Sequence, residues 1–92
     1  MDNIVSIRSS THGNFSSNAR AAQSKKADWR LHPGWTRLND QQREALDLIA
    51  TKVGRILAGD PMHRDHWIDL AGYAELGRRA CDDGPDYEPI EG

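Results

Sequence analysis

One stripe of apolar side chains, bounded by helix signals at both ends, constrains the fold of this chain more than any other feature. Asn39 is a strong helix N-cap, and Gln42 three residues later completes the pattern of a capping box. Gly59 is a typical residue at the end of a helix, and Pro61 follows as a break. Apolar residues recur between these signals at helical spacing: Ala45, Leu46, Ile49, Ala50, Val53, Ile56 and Leu57. The pattern predicts a helix over residues 39–58.

A second helix is predicted over residues 62–81, between Pro61 and the turn signal Gly84-Pro85. Because the connection is short, the two helices should pack antiparallel. No pair of strands is evident in the sequence, so the predicted fold class is all-α, an antiparallel helical hairpin. The apolar face of the second helix consists of Trp67, Leu70, Ala74, Gly77 and Cys81, with Tyr73 beside it.

The segments that flank the hairpin are poor in large apolar residues. Residues 1–27 are predicted to be a disordered tail, because nothing there offsets the entropy of ordering the backbone. Residues 84–92 are predicted to be an acidic tail. Residues 28–38 should form an irregular segment that packs on the hairpin through Trp29 and Trp35. In the alternative interpretation, the two tryptophans are exposed anchors for a partner.

Charge and composition exclude several classes of protein. The 92 residues carry a net charge of −2, whereas a dedicated nucleic-acid binder needs a basic excess. No apolar run approaches the ~18 residues of a membrane span, and the N-terminus lacks the apolar core of a secretory signal. One cysteine, Cys81, excludes an intramolecular disulfide. We therefore expect a cytoplasmic protein that binds neither membranes nor nucleic acid.

The hairpin is small enough that self-association is expected. Residues 39–83 are close to the limit of about 40 residues below which chains usually need disulfides, metals or oligomers. Two amphipathic helices cover only one stripe of each other, so apolar surface is left over. Either the segment 28–38 or a second copy of the chain covers it, and we expect a homo-oligomer.

A cluster of opposite charges is predicted along the edge of the hairpin. Lys52 borders the apolar face of the first helix, with Arg55 one turn further on. Asp65 and Asp69 share an edge of the second helix. Since antiparallel packing brings these edges together, Asp69 should face Lys52 or Arg55. The cluster is either a set of structural ion pairs or a site for an anion or a metal.

No catalytic set can be assembled from the sequence. Glu44 and Asp47 point away from the apolar stripe and should face solvent. His63, Asp65 and His66 lack a third clustered histidine or cysteine for a zinc set, so each histidine should face solvent or cap the helix. The sequence contains no phosphate-cradling glycine loop, nucleophile elbow or zinc-protease helix. We therefore assign no catalytic residue, no metal ligand and no cofactor.

Two sequence segments resemble a small family of phage and prophage proteins. KVGRI at 52–56 matches a K-x-x-R-I helix, and HRDHWIDLAGY at 63–73 matches an H-x-D-x-W-x-D-[IL]-A-G-Y helix. The family is distantly similar to the C-terminal half of MazG-like all-α nucleotide pyrophosphatases, which are Mg²⁺-dependent oligomers. The resemblance spans residues 38–79, but the E-E-x-x-E metal helix of those enzymes is absent. It draws attention to Lys52, Arg55, Asp65, Asp69, Gly72 and Tyr73. A glycine inside a helix costs about 1 kcal/mol relative to alanine, so a close approach is predicted at Gly72.

Two functions follow as hypotheses. The first is a phage-type accessory protein, a non-enzymatic helical binding module that docks on a host or phage protein, for example as a defence inhibitor. The alternative is a MazG-like protein that binds or hydrolyses a nucleotide, with a Mg²⁺ site at an oligomer interface. A structural role in the virion is a third, weaker hypothesis. The candidate binding residues are Trp29, Trp35, Lys52, Arg55, Asp65, Asp69 and Tyr73.

Overall fold

The computed structural model describes residues 13–83, and all regular structure in this range is helical. The all-α class is thereby confirmed. The elements are helix α1 (Phe15–Leu31), a 3₁₀ turn (Pro33–Arg37), helix α2 (Asp40–Ala58) and helix α3 (Arg64–Asp83). Helices α2 and α3 form the predicted hairpin. The predictions for residues 1–12 and 84–92 lie outside the described residues.

The ends of α2 form as the local sequence predicts. The Oδ1 atom of Asn39 accepts a hydrogen bond from the Gln42 backbone N–H at 2.8 Å. The Oε1 atom of Gln42 accepts one from the Asn39 N–H at 3.0 Å, which completes the capping box. At the other end, the N–H of Gly59 donates to the carbonyl of Arg55 at 2.9 Å. Such short-range bonds depend on neighbouring residues alone, which is why the sequence located this helix.

Residues 15–27, predicted to be disordered, and residues 28–31, predicted to be irregular, instead belong to α1. The helix begins after Asn14, whose Oδ1 atom accepts a hydrogen bond from the Ser17 N–H at 2.8 Å. Ala22 is the buried residue of α1, and Gly54 of α2 is also buried. A search for large apolar stripes misses such a helix, because its packing depends on the close approach of two backbones.

Two glycines permit this approach and set the direction of α1. A Cβ atom on Gly54 would lie 2.8 Å from the carbonyl oxygen of Asn18 in α1. Gly13 has a φ of +78°, and a Cβ atom there would lie 2.2 Å from the carbonyl oxygen of Ala58. The start of α1 therefore lies against the end of α2, and the two helices are antiparallel. Gly72 of α3 has nothing within 4 Å of the equivalent position, so the close approach predicted there is wrong.

Helix α2 lies at the centre of a layer of three antiparallel helices. Lys52 contacts α3, whereas Asp47 and Gly54 contact α1 from another side of α2. The layer has a thin core, because all buried hydrophobic residues in the described range are alanines: Ala22, Ala45, Ala50 and Ala80. The larger side chains of the α2 stripe stay partly exposed. Within residues 13–83, no helix has the length and apolar character needed to cross a membrane.

Candidate functional site

One side of the helical layer presents apolar side chains that nothing in the described range covers fully. Leu46, Val53 and Leu57 follow one another at helical spacing along α2, and none of them is buried. Leu57 is 66% exposed. This stripe and its neighbours on both sides form the open face of the layer. The open face consists of Leu46, Ile49, Val53 and Leu57 of α2, Trp29, Trp35 and Leu38 on the α1 side, and Trp67, Tyr73 and Ala74 of α3.

Two hollows indent the open face near the start of α2. The first has a volume of about 360 Å³ and lies between α1 and α2, with Trp29 and Trp35 in its wall. The second has a volume of about 300 Å³ and lies between α2 and α3, with Tyr73 in its wall. Leu38 and Leu46 line both hollows and lie between them. We call the two adjoining hollows together the groove; Trp29 and Trp35 line one side of it and Tyr73 lines the other.

Trp35 is held in place by two arginines. The Nε atom of Arg43 donates to the Trp35 carbonyl at 3.4 Å. The guanidinium carbon of Arg30 lies 4.7 Å from the centroid of the Trp35 ring, within the range of a cation–π contact. Arg30 also forms an ion pair with Asp47, in which Nη2 of Arg30 lies 2.7 Å from Oδ2 of Asp47. This wall of the groove is therefore preformed, which lowers the entropy that a binding partner must offset.

The predicted approach of Asp69 to the first helix of the hairpin is confirmed, with Lys52 as its partner. The Nζ atom of Lys52 lies 2.8 Å from Oδ2 of Asp69. Lys52 is only 4% exposed, whereas Asp69 is half-exposed. The hydrogen bond from Lys52 and its charge hold the pKa of Asp69 below its ordinary value, and the charge of Arg55 lowers this pKa further. The pair lies between α2 and α3, outside both hollows.

The other two members of the predicted charge cluster do not join this pair. Arg55 acts on Asp69 through its charge, but it lines a separate pocket of about 160 Å³ beside α1. Asp65 is exposed, and its Oδ2 atom lies 4.0 Å from Nε2 of His63. Across residues 13–83, no group of three or more His, Cys, Asp or Glu side chains is placed to hold a metal ion.

Two side chains lie elsewhere than the sequence predicted. Asp47 was expected to face solvent, but it pairs with Arg30 because α1 covers that side of α2. Glu44 is exposed, as predicted. His66 was expected at the surface or at a cap, but it is 1% exposed and is the largest fully buried side chain in the described range. Its ring meets His63 edge to face, with centroids 4.7 Å apart. The spacing of His66 in the sequence could have predicted its burial. It lies seven residues before Tyr73, on the side of α3 that faces α2.

Trp67 also differs from its predicted place in the packed interface of the hairpin. Its side chain is 52% exposed, and Nε1 donates to the carbonyl of Pro61 at 2.7 Å. Ala74 lies seven residues further along α3 and lines the second hollow, so Trp67 lies on the same side of this helix. Leu57 and Met62, at the same end of the layer, are exposed as well.

Comparisons with known protein families, with curated proteins and with solved structures find no match for this chain. The resemblance to phage proteins stays a prediction that rests on the two sequence segments quoted above.

Proposed function

We propose that this protein is a phage-type accessory protein of the host cytoplasm that works as a non-enzymatic helical binding module. Its open face docks on a host or phage protein. The observation that carries the proposal is the groove, where Trp29 and Trp35 line one hollow, Tyr73 lines the adjoining one, and Leu38 and Leu46 line both. Tryptophan and tyrosine are enriched among the residues that dominate binding energy at protein interfaces.

The shape and stiffness of the groove support a protein partner. An apolar groove between helices suits the apolar face of a partner helix, which places side chains at i, i+3, i+4 and i+7. The wall at Trp35 is braced by Arg30 and Arg43 before any partner arrives. Inhibition of a host defence protein is one role that such a small module would serve.

The nucleotide-handling alternative draws on a different part of the molecule. It would use the carboxylates of Asp65 and Asp69 and the ammonium group of Lys52. Within one chain, Lys52 and Asp69 already satisfy each other, so a phosphate or Mg²⁺ would have to break that pair. The groove requires no such rearrangement, and we therefore favour protein binding.

Site-specific photo-cross-linking tests the proposed function. A photoreactive side chain at position 57 of the full chain should form an adduct with a different protein in the producing cell. Ile68 is the matched control: it is 56% exposed, and it lies two residues after buried His66, on the opposite side of α3. We expect little or no adduct from position 68. Equal yields from both positions, or no adduct with another protein from position 57, would contradict the proposal.

A further inference from the structure

We infer that α1 controls the groove: α1 undocks from α2 while the α2–α3 hairpin stays folded, and the groove is complete only while α1 is docked. The inference rests on the proposed function of the open face, because it concerns how that binding site forms and how it is lost. It follows from the contacts that hold α1 against α2.

Little apolar surface holds α1 in place. Ala22 is the one residue of α1 that is buried, and Trp29 is partly buried. Phe15 and Leu31, the first and last residues of the helix, are each 83% exposed. Burial of large apolar side chains is the main source of docking energy, and an alanine contributes little of it. The docked position of α1 is therefore weakly stabilised by apolar burial.

The polar contact between α1 and α2 is incomplete. Among residues 13–83, one ion pair joins α1 to the hairpin, between Arg30 and Asp47. This pair uses Oδ2 of Asp47, whereas Oδ1 is buried and has no hydrogen-bond partner in the same part of the chain. A buried acceptor without a donor has lost its hydration and gained no bond in exchange. Undocking of α1 returns this oxygen to water, which lowers the free energy of the open state.

Two cavities lie along the same contact between α1 and α2. The larger has a volume of about 500 Å³ and is lined by Gln23, Lys26, Ala27, Arg30 and Asp47. The pocket of about 160 Å³ beside α1 adjoins it, since Gln23 and Lys26 line both. Side chains that face a gap lose the van der Waals contacts that close packing supplies. The second half of α1 is thus packed less completely than a helix in a filled core.

Undocking of α1 removes the tryptophan wall of the groove. Trp29 belongs to α1 and lines the first hollow together with Trp35. Arg30 connects the two events, because the guanidinium group that pairs with Asp47 also lies 4.7 Å from the centroid of the Trp35 ring. The wall is preformed in the docked state and absent in the open state. A partner that binds the groove contacts the docked state alone, so it shifts the population towards that state.

Amide hydrogen exchange of the free, full chain tests the opening. An undocked helix of 17 residues is marginal in water, so its amides exchange when α1 opens. We expect amides of α1 to be protected roughly tenfold less, or weaker still, than the slowest amides of α2 and α3. Equal protection of α1 and the hairpin would overturn the inference.

A matched pair of variants identifies the contact that holds α1. Arg30→Gln removes the ion pair with Asp47 and should accelerate exchange in α1 roughly threefold or more. Arg78→Gln is the control, because the ion pairs of Arg78 with Glu75 and Asp82 lie within α3. It should leave exchange in α1 within about twofold of the parent. Equal effects of the two variants on α1 would also overturn the inference.

Photo-cross-linking in the same two variants tests the link between α1 and the groove. The photoreactive side chain is again placed at position 57, and adduct yields are compared at equal protein levels. Arg30→Gln should lower the yield of the adduct roughly threefold or more, whereas Arg78→Gln should leave it near that of the parent. Equal yields from the two variants would overturn the link. The absence of any adduct from the parent contradicts the proposed function instead, and exchange in the free protein then tests the opening separately.

Discussion

Gly54→Ala is expected to lower the free energy of unfolding by about 1–3 kcal/mol, the typical cost of overpacking a tight contact. The added Cβ atom would lie 2.8 Å from the carbonyl oxygen of Asn18, which is backbone and has little freedom to move away. The contact between α1 and α2 would have to loosen. Because small domains are marginally stable, a loss of this size should be obvious in a urea titration followed by circular dichroism.

Gly72→Ala is the matched control. It makes the same chemical change inside a helix, but nothing lies within 4 Å of the new atom. The alanine should raise the free energy of unfolding by about 0.5–1 kcal/mol through its higher helix propensity. If Gly54→Ala were stabilising to the same degree as Gly72→Ala, α1 would not be docked on α2 as described.

The second large effect concerns the Lys52–Asp69 pair: substituting Asp69 should destabilise the protein, whereas substituting Lys52 should not. Asp69→Asn should lower the melting temperature by several degrees, because it leaves the buried ammonium group of Lys52 without its counter-charge. Lys52→Met should be nearly neutral or stabilising, since the apolar side chain suits the buried position and Asp69 stays half-exposed to water. The double variant should recover most of the loss caused by Asp69→Asn. Equal losses from both single variants would contradict this account.

The dependence of stability on acidic pH should also report on the Lys52–Asp69 pair. The pKa of Asp69 in the folded protein lies below its ordinary value of 3.8, so its contribution to stability is present above that value. The contribution is lost as the pH falls through the folded-state pKa. The stability of Asp69→Asn should therefore fall less over this pH range than that of the parent.

Thermal melts of the parent protein with and without Mg²⁺ and a nucleotide should coincide. Nucleotide-dependent stabilisation that disappears in Asp69→Asn would instead favour the nucleotide-handling alternative.

Local signals predicted α2 and α3 well, whereas α1 depends on tertiary contacts. The capping box at Asn39 and the break at Pro61 involve residues close together in the chain, and these can be recognised in the sequence. Helix α1 has no large apolar stripe. It docks because Gly13 and Gly54 let its backbone approach α2, and a sequence does not show which backbone will lie opposite a glycine.

The candidate site was predictable to a similar, partial extent. The rims of the two apolar stripes placed Asp69 opposite Lys52 or Arg55, and Lys52 is its partner. They also suggested a role for Asp65, which lies apart in solvent. Trp29 and Trp35 were recognisable from their residue type, either as side chains that pack on the hairpin or as anchors for a partner. Their convergence with Tyr73 on one groove depends on the 3₁₀ turn and on the packing of three helices, which residue spacing alone does not determine.

The central claim is that the open face is the docking surface, and binding titrations test it most directly. The partner recovered by cross-linking from position 57 would be purified and titrated by calorimetry against the full chain, Leu57→Lys and Ile68→Lys. The account predicts that Leu57→Lys raises Kd at least tenfold, the equivalent of about 1.4 kcal/mol, while Ile68→Lys leaves it within twofold of the parent. Equal affinity for all three chains, or a loss confined to Ile68→Lys, would contradict it.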